Sequence, residues 1–116
     1  VSAPFHCRYM KETAEDLKVK FKELNFKEPL IPIISNYSAE VFKDIDQLKS
    51  ALINQTFSTV RWYESICLML EKGTDAFIEV GCGNTLINMI KRMKSNKEFE
   101  TFAISNTENI KSYSKV

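Results

Sequence analysis

Apolar residues recur at helical spacing in the first part of the chain. Met10, Ala14, Leu17, Phe21 and Leu24 are separated by four, three, four and three positions, with Lys11, Glu12, Glu15, Asp16, Lys18 and Lys22 among the residues between them. At 3.6 residues per turn this gathers the apolar side chains into one stripe, so an amphipathic helix is predicted from near Pro4 to near Asn25. The period then shortens. Leu30-Ile31-Pro32-Ile33-Ile34-Ser35 is a β-branched run ending at the polar Asn36, which predicts a buried strand with Pro32 at its start or on an edge, because proline cannot donate to a ladder. Asp44 or Asp46 can cap a second helix carrying Leu48, Ala51, Leu52 and Ile53. Residues 56–59 break it. Ser58 or Thr59 is a candidate cap for a third helix with Trp62, Ile66, Met69 and Leu70 on one face, stopped by Lys72-Gly73, a basic last turn followed by glycine.

The second half alternates in the same way. Ala76-Phe77-Ile78-Glu79-Val80 reads as a strand entering the turn Gly81-Cys82-Gly83, after which Asn84 can cap a helix carrying Leu86, Ile87, Ile90 and Met93. Lys91, Arg92 and Lys94 lie late in that helix, where cations complement the dipole. Thr101-Phe102-Ala103-Ile104 is a last strand, and Asn106 or Thr107 begins a last helix. Helices alternating with strands predict an α/β layer with a mainly parallel sheet. No repeat, linker or low-complexity segment divides the 116 residues.

Composition changes this picture little. The chain is 44% apolar, and sixteen Lys and Arg against fifteen Asp and Glu give a formal charge of +1. The charges are interleaved, which argues against a nucleic-acid or anionic-membrane surface. No stretch reaches the roughly 18 apolar residues of a membrane span. Cys7, Cys67 and Cys82 are widely spaced and odd in number, so neither a disulfide framework nor a metal site is predicted, and a reducing cytoplasm is expected. The chain opens on Val1 rather than Met, and upstream residues are expected.

Candidate chemistry begins with the one histidine, His6, just before the first helix. An imidazole titrates near neutrality and can shuttle a proton to and from a nucleophile; by itself, a lone histidine at a helix start is more often a structural or surface residue. Its surroundings add more. Ser2-Ala3-Pro4-Phe5-His6-Cys7-Arg8-Tyr9-Met10-Lys11 resembles the histidine motif of malonyl-CoA:acyl carrier protein transacylases and of polyketide synthase acyltransferase domains. Ile31-Pro32-Ile33-Ile34-Ser35-Asn36 is similar to that family's I-P-x-x-S-N strand, Val60-Arg61-Trp62 to its V-x-W segment, and the stretch from Phe77 to Leu86 to its F-x-E-x-G-P-G-x-x-L turn. Four motifs occur in order over nearly the whole chain.

The resemblance implies the C-terminal part of an α/β-hydrolase-like, three-layer acyltransferase fold, after a ferredoxin-like insertion that is absent here. It implies that His6 is the general base toward a serine nucleophile, which takes malonyl from coenzyme A and passes it to the phosphopantetheine thiol of acyl carrier protein for fatty acid biosynthesis. No metal or redox cofactor is implied, and the full-length enzyme is expected to be a monomer. The backbone carbonyl of Gln55, seven positions before Trp62, is implied to orient His6; on its own, Gln55 reads as a polar residue near a helix end. Phe5 is implied to crowd an α-methyl group on the acyl chain, although it could equally be a core aromatic. Asn36 is a candidate substrate contact at a strand end or, more simply, a turn residue.

Two positions depart from the family pattern. Cys82 stands where proline is usual, which loosens the turn, and Thr59 replaces the proline before V-x-W. The G-H-S-x-G elbow of the family's nucleophile does not occur in these residues, nor does its oxyanion-hole segment or the arginine that pairs with the malonyl carboxylate, so this stretch alone is expected to be inactive. Exposed apolar surface is therefore predicted at Ile31, Ile33, Phe77 and Ile78. The alternatives are an acyltransferase domain of a polyketide or multidomain fatty-acid synthase, and a non-catalytic carrier-protein docking module in which Lys91, Arg92 and Lys94 meet an acidic partner.

Overall fold

The computed structural model describes residues 4–42, 44–93 and 95–113. It divides into two compact units, Val1–Leu68 and Met69–Val116. In the first, a turn at Phe5 to Cys7 leads through one 3-10 turn, Arg8–Met10, into α1, Lys11–Glu23. The helix starts later than its periodicity predicts because His6 has φ of 60°, a left-handed conformation that a right-handed helix cannot incorporate. The buried Ala14 of α1 belongs to a face that packs on α2, Ile45–Asn54, which buries Leu48 and Ala51. Asp44 is the cap, its carboxylate accepting from the Gln47 amide at 2.7 Å; Asp46 lies inside the first turn, where its charge favours the helix dipole.

The predicted strand over residues 30–35 does not form. Only Ile34 pairs, through one antiparallel bridge to Val41. Pro32 removes an amide donor from the run and Pro29 another just before it, and the chain then folds back: the buried Ser35 hydroxyl accepts from the Tyr37 and Ser38 amides, both at 3.1 Å, while the Ser35 amide donates to the Glu40 carbonyl at 2.9 Å. Leu30 and Ile31 stand open, Ile31 being 73% exposed.

Helix α3, Trp62–Glu71, begins beyond the Ser58 and Thr59 predicted as caps. Its first turn is closed at Arg61, whose carbonyl accepts from both the amide and the hydroxyl of Ser65. The predicted stop holds. Gly73 has φ of 93°, its amide donates to Leu70 and the Thr74 amide donates to Met69, the paired bonds of a Schellman ending that only a left-handed residue permits.

In the second unit β1, Ala76–Val80, pairs in parallel with β2, Glu100–Ile104, in the register Ala76 to Glu100 through Val80 to Ile104. Helix α4, Thr85–Lys91, lies in the crossover and packs on both strands, burying Ile87 and Ile90. It is shorter than predicted, since Arg92 and Met93 already donate to Met89 and Ile90 in a closing turn; Lys94 lies outside the described residues. Helix α5, Thr107–Tyr113, packs on β2 and is entered at Asn106, whose side chain accepts from the Asn109 amide at 2.9 Å. The chain is thus α/β with a small parallel sheet.

Strand alternation decides which apolar residues are covered. Phe77 points to the face carrying α4 and Phe99, with its ring edge-on to Phe99 at 5.5 Å, and is only 8% exposed. That corrects the expectation of exposure at Phe77. Ile78 and Val80 point the other way and are exposed, Val80 at 78%; Ile33 and Ile31 are exposed as expected.

Candidate active site

His6 is gripped by two consecutive peptide carbonyls. Its ring Nδ1 lies 2.8 Å from the Gln55 carbonyl oxygen, and its backbone amide donates to the Thr56 carbonyl at 3.0 Å. A carbonyl oxygen can only accept, so in the neutral ring Nδ1 carries the proton and Nε2 keeps its lone pair. Among the described residues Nε2 has no hydrogen-bond partner, and the side chain is exposed. Such an imidazole can take a proton at Nε2 and return it.

The sequence builds this grip from an abrupt helix ending. Gln55 is the C-cap of α2, its amide donating to Ala51 at 2.9 Å. The chain then tightens: the Thr56 amide and the Thr56 hydroxyl both donate to the Ile53 carbonyl, at 3.2 and 2.7 Å, and Phe57 donates to Asn54. The carbonyls of residues 55 and 56 are thereby free of the helix, and both turn to His6. On the other side the Cys7 thiol donates to the Pro4 carbonyl at 2.9 Å and the Met10 amide to Cys7 at 3.0 Å, which keeps the strained His6 turn closed. Holding a non-glycine residue left-handed costs roughly 1–2 kcal/mol, and such strain persists only where surrounding bonds over-determine it.

The other candidates are less engaged. Phe5 adjoins His6 in the chain and is 56% exposed. The Asn36 side chain is exposed and makes no hydrogen bond among the described residues; its carbonyl accepts from the Arg61 amide at 2.8 Å. Arg61 also donates from Nη1 to the Ser38 carbonyl at 3.0 Å and from Nε to Glu64 at 3.1 Å. The Glu64 carboxyl is held below its ordinary range first by its own amide and then by the Arg61 guanidinium. The loop bearing Asn36 is thus tied to the head of α3, a role for Arg61 that its place in V-x-W does not announce.

In the second unit, Cys82 is a free, exposed thiol between Gly81 and Gly83, both at positive φ. Asn84 holds the cap position of α4 without capping it. The carboxylate of Glu79, reaching from β1 across the turn, does so instead, accepting from the Leu86 and Ile87 amides at 3.2 and 3.0 Å. Lys91 and Arg92 are exposed. No group of three or more His, Cys, Asp or Glu side chains among the described residues is arranged to hold a metal ion, and none of their helices is long and apolar enough to cross a membrane.

Comparison with known proteins finds relatives that match this chain over almost its whole length. The chain is 39% identical over 110 residues to the malonyl CoA-acyl carrier protein transacylase of Bacillus subtilis, an alignment covering 95% of this chain and 34% of that protein. The chain matches the C-terminal part of the malonyl CoA-acyl carrier protein transacylases. An acyl carrier protein S-malonyltransferase from Vibrio cholerae superposes with a TM-score of 0.87 at 35% identity, over 97% of this chain and 36% of that one. A malonyl-transacylase solved in complex with its type II polyketide synthase acyl-carrier protein superposes with a TM-score of 0.88 at 28% identity, over 97% and 36%. No protein-family profile matches the sequence. The chain spans about a third of the length of the transacylases it matches, and its α/β layer is consistent with their acyltransferase fold.

Proposed function

We propose that this chain is the C-terminal portion of the large subdomain of a malonyl-CoA:acyl carrier protein transacylase, and that His6 is its general base. The nucleophile is a serine outside these 116 residues. In the first half-reaction His6 Nε2 accepts the serine proton as the oxygen attacks the malonyl thioester carbonyl. The carbon–sulfur bond then breaks, and the imidazolium returns the proton to the departing coenzyme A thiolate. In the second half the phosphopantetheine thiol of acyl carrier protein gives its proton to Nε2, its sulfur attacks the acyl-serine ester, and the serine oxygen recovers a proton from the imidazolium. The Gln55 carbonyl holds the tautomer as the carboxylate of a serine hydrolase does, with less stabilisation of the imidazolium.

The observation that supports this reading best is the 2.8 Å contact between Nδ1 and the Gln55 carbonyl, which leaves Nε2 as the free base. Phe5, beside the base, is proposed to disfavour an α-methyl group by about 1–3 kcal/mol, the range a small steric difference supplies. Asn36 is proposed to meet substrate. The protein is proposed to be a cytoplasmic monomer that needs no metal or redox cofactor.

The test is a chimera in which this chain replaces the matching third of the Bacillus subtilis transacylase, assayed for malonyl transfer to acyl carrier protein. The chimera is expected to be active, and His6→Ala is expected to lower transfer about a hundredfold to ten-thousandfold with an unchanged circular dichroism spectrum. A folded chimera whose transfer survives His6→Ala removes His6 from the mechanism. A second reading, an acyltransferase acting in polyketide synthesis, is favoured by the structural match to the polyketide transacylase complex. Faster transfer to a polyketide carrier than to the fatty-acid carrier would select it.

A further inference from the structure

The two carbonyls that hold His6 are themselves aimed by one side chain. The Thr56 hydroxyl donates to the Ile53 carbonyl at 2.7 Å, shorter than the 3.2 Å bond from its own amide to the same oxygen. Both bonds close the turn that carries the 55 and 56 carbonyls away from α2. A hydroxyl-to-carbonyl bond at this length is the stronger of the two, and it lies in a part-buried position where water competes poorly. We propose that Thr56 is a positioning residue for the base: its hydroxyl fixes the peptides whose oxygens set the tautomer and the left-handed backbone of His6. This deepens the function proposed above and rests on it for its catalytic meaning.

The geometry separates Thr56 from its neighbours. Among the described residues the side chain of Gln55 makes no hydrogen bond to His6; its carbonyl does. Asn54 spends its side-chain amide on the Ser50 hydroxyl, back along the helix. Thr56 alone joins the helix end to the grip twice, by its hydroxyl to Ile53 and by its carbonyl to the His6 amide at 3.0 Å. Removing the hydroxyl leaves the turn closed by the longer amide bond, so the Gln55 and Thr56 peptides can rotate and Nδ1 can lose its acceptor.

His6 is the sole histidine, so its ring nitrogens can be read without ambiguity by nitrogen-15 NMR in the full 116-residue chain, with the ring neutral. The parent is expected to hold its proton on Nδ1. Thr56→Val keeps size and β-branching and removes only the hydroxyl; it is expected to lower the ratio of Nδ1–H to Nε2–H roughly fivefold, the equivalent of one hydrogen bond of ordinary net strength. Thr56→Ser is expected to restore it. In the chimera the same substitution should reduce kcat several-fold with KM unchanged, and serine should rescue it. A folded Thr56→Val chain with the parental tautomer ratio overturns the proposal. Should that variant not fold, Thr56→Ala and Thr56→Ser are compared in its place, and equal ratios in the two overturn it. The tautomer needs neither serine nor substrate: a chimera indifferent to His6→Ala, with the tautomer still dependent on Thr56, sinks the general-base reading and leaves the latch standing.

Discussion

Among the turns that hold backbone at positive φ, the one at His6 and the one at Gly81 to Gly83 are secured in opposite ways. The His6 turn uses a non-glycine residue at φ of 60° and ties it with two main-chain carbonyls. The Gly81-Cys82-Gly83 turn uses glycines, which adopt positive φ without strain, and is closed by a single carboxylate, Glu79, on two amides of α4. Where backbone does the holding, strain is tolerated so that a reactive side chain can be presented. Where a side chain makes the closing bonds itself, the backbone is relaxed. The first arrangement suits the general base proposed for His6; the second suits a joint between a strand and the helix packed on it.

The largest effect should come from breaking the side-chain-held turn. Glu79→Ala removes a charged acceptor from two helix amides and is expected to destabilise the second unit by about 2 kcal/mol, between the values for an ordinary cap and for a charge-assisted hydrogen bond. Amide exchange at Leu86 and Ile87 measures it. Protection unchanged from the parent would mean that water or Asn84 serves as the cap, and the contrast between the two turns would collapse.

A smaller effect tests whether the His6 turn stores strain. Both His6→Ala and His6→Gly abolish the ring contact to Gln55, but only glycine relaxes the left-handed backbone. The glycine variant is therefore expected to be the more stable of the two by about 1 kcal/mol in urea denaturation followed by Trp62 fluorescence. Alanine matching or exceeding glycine would show that the turn is unstrained.

These differences also explain what could be read in advance. The helices α1 and α2, the Gly73 stop and the parallel β1–β2 pair follow from periodicity and from glycine and capping chemistry, which act locally and leave a mark in the sequence. The run over residues 30–35 has the composition of a strand, but forming a strand needs a partner and free amides, and Pro32 removes one amide within it and Pro29 one just before it. The burial of Phe77 is not legible in the sequence because one run of apolar residues contains both faces of a strand, and only the position of α4 says which is covered. Within the candidate site the Gln55 contact came from the ordered motifs that resemble the transacylases; periodicity alone had no means of joining two residues 49 positions apart. The place proposed for Thr56 is illegible in the sequence for a related reason: a threonine after a helix commonly bonds locally, and only the fold brings its carbonyl to the His6 amide.

The smallest expected effect is the sharpest test of a carbonyl-held base. Gln55→Ala removes the whole polar side chain yet keeps the carbonyl, so stability should change by less than about 0.5 kcal/mol, as for an ordinary surface substitution. The His6 tautomer should stay on Nδ1 and the chimera's transfer rate should be preserved. Proline at the same position is the counterpart: it keeps a carbonyl but removes the amide that donates to Ala51 at 2.9 Å, so the helix end moves and the grip on His6 should fail. Alanine tolerated and proline not would locate the orientation of the base in the main chain. If alanine alone disturbs the tautomer, the Gln55 side chain is doing the orienting, and the distinction between a turn held by backbone and a turn held by a side chain does not describe this protein.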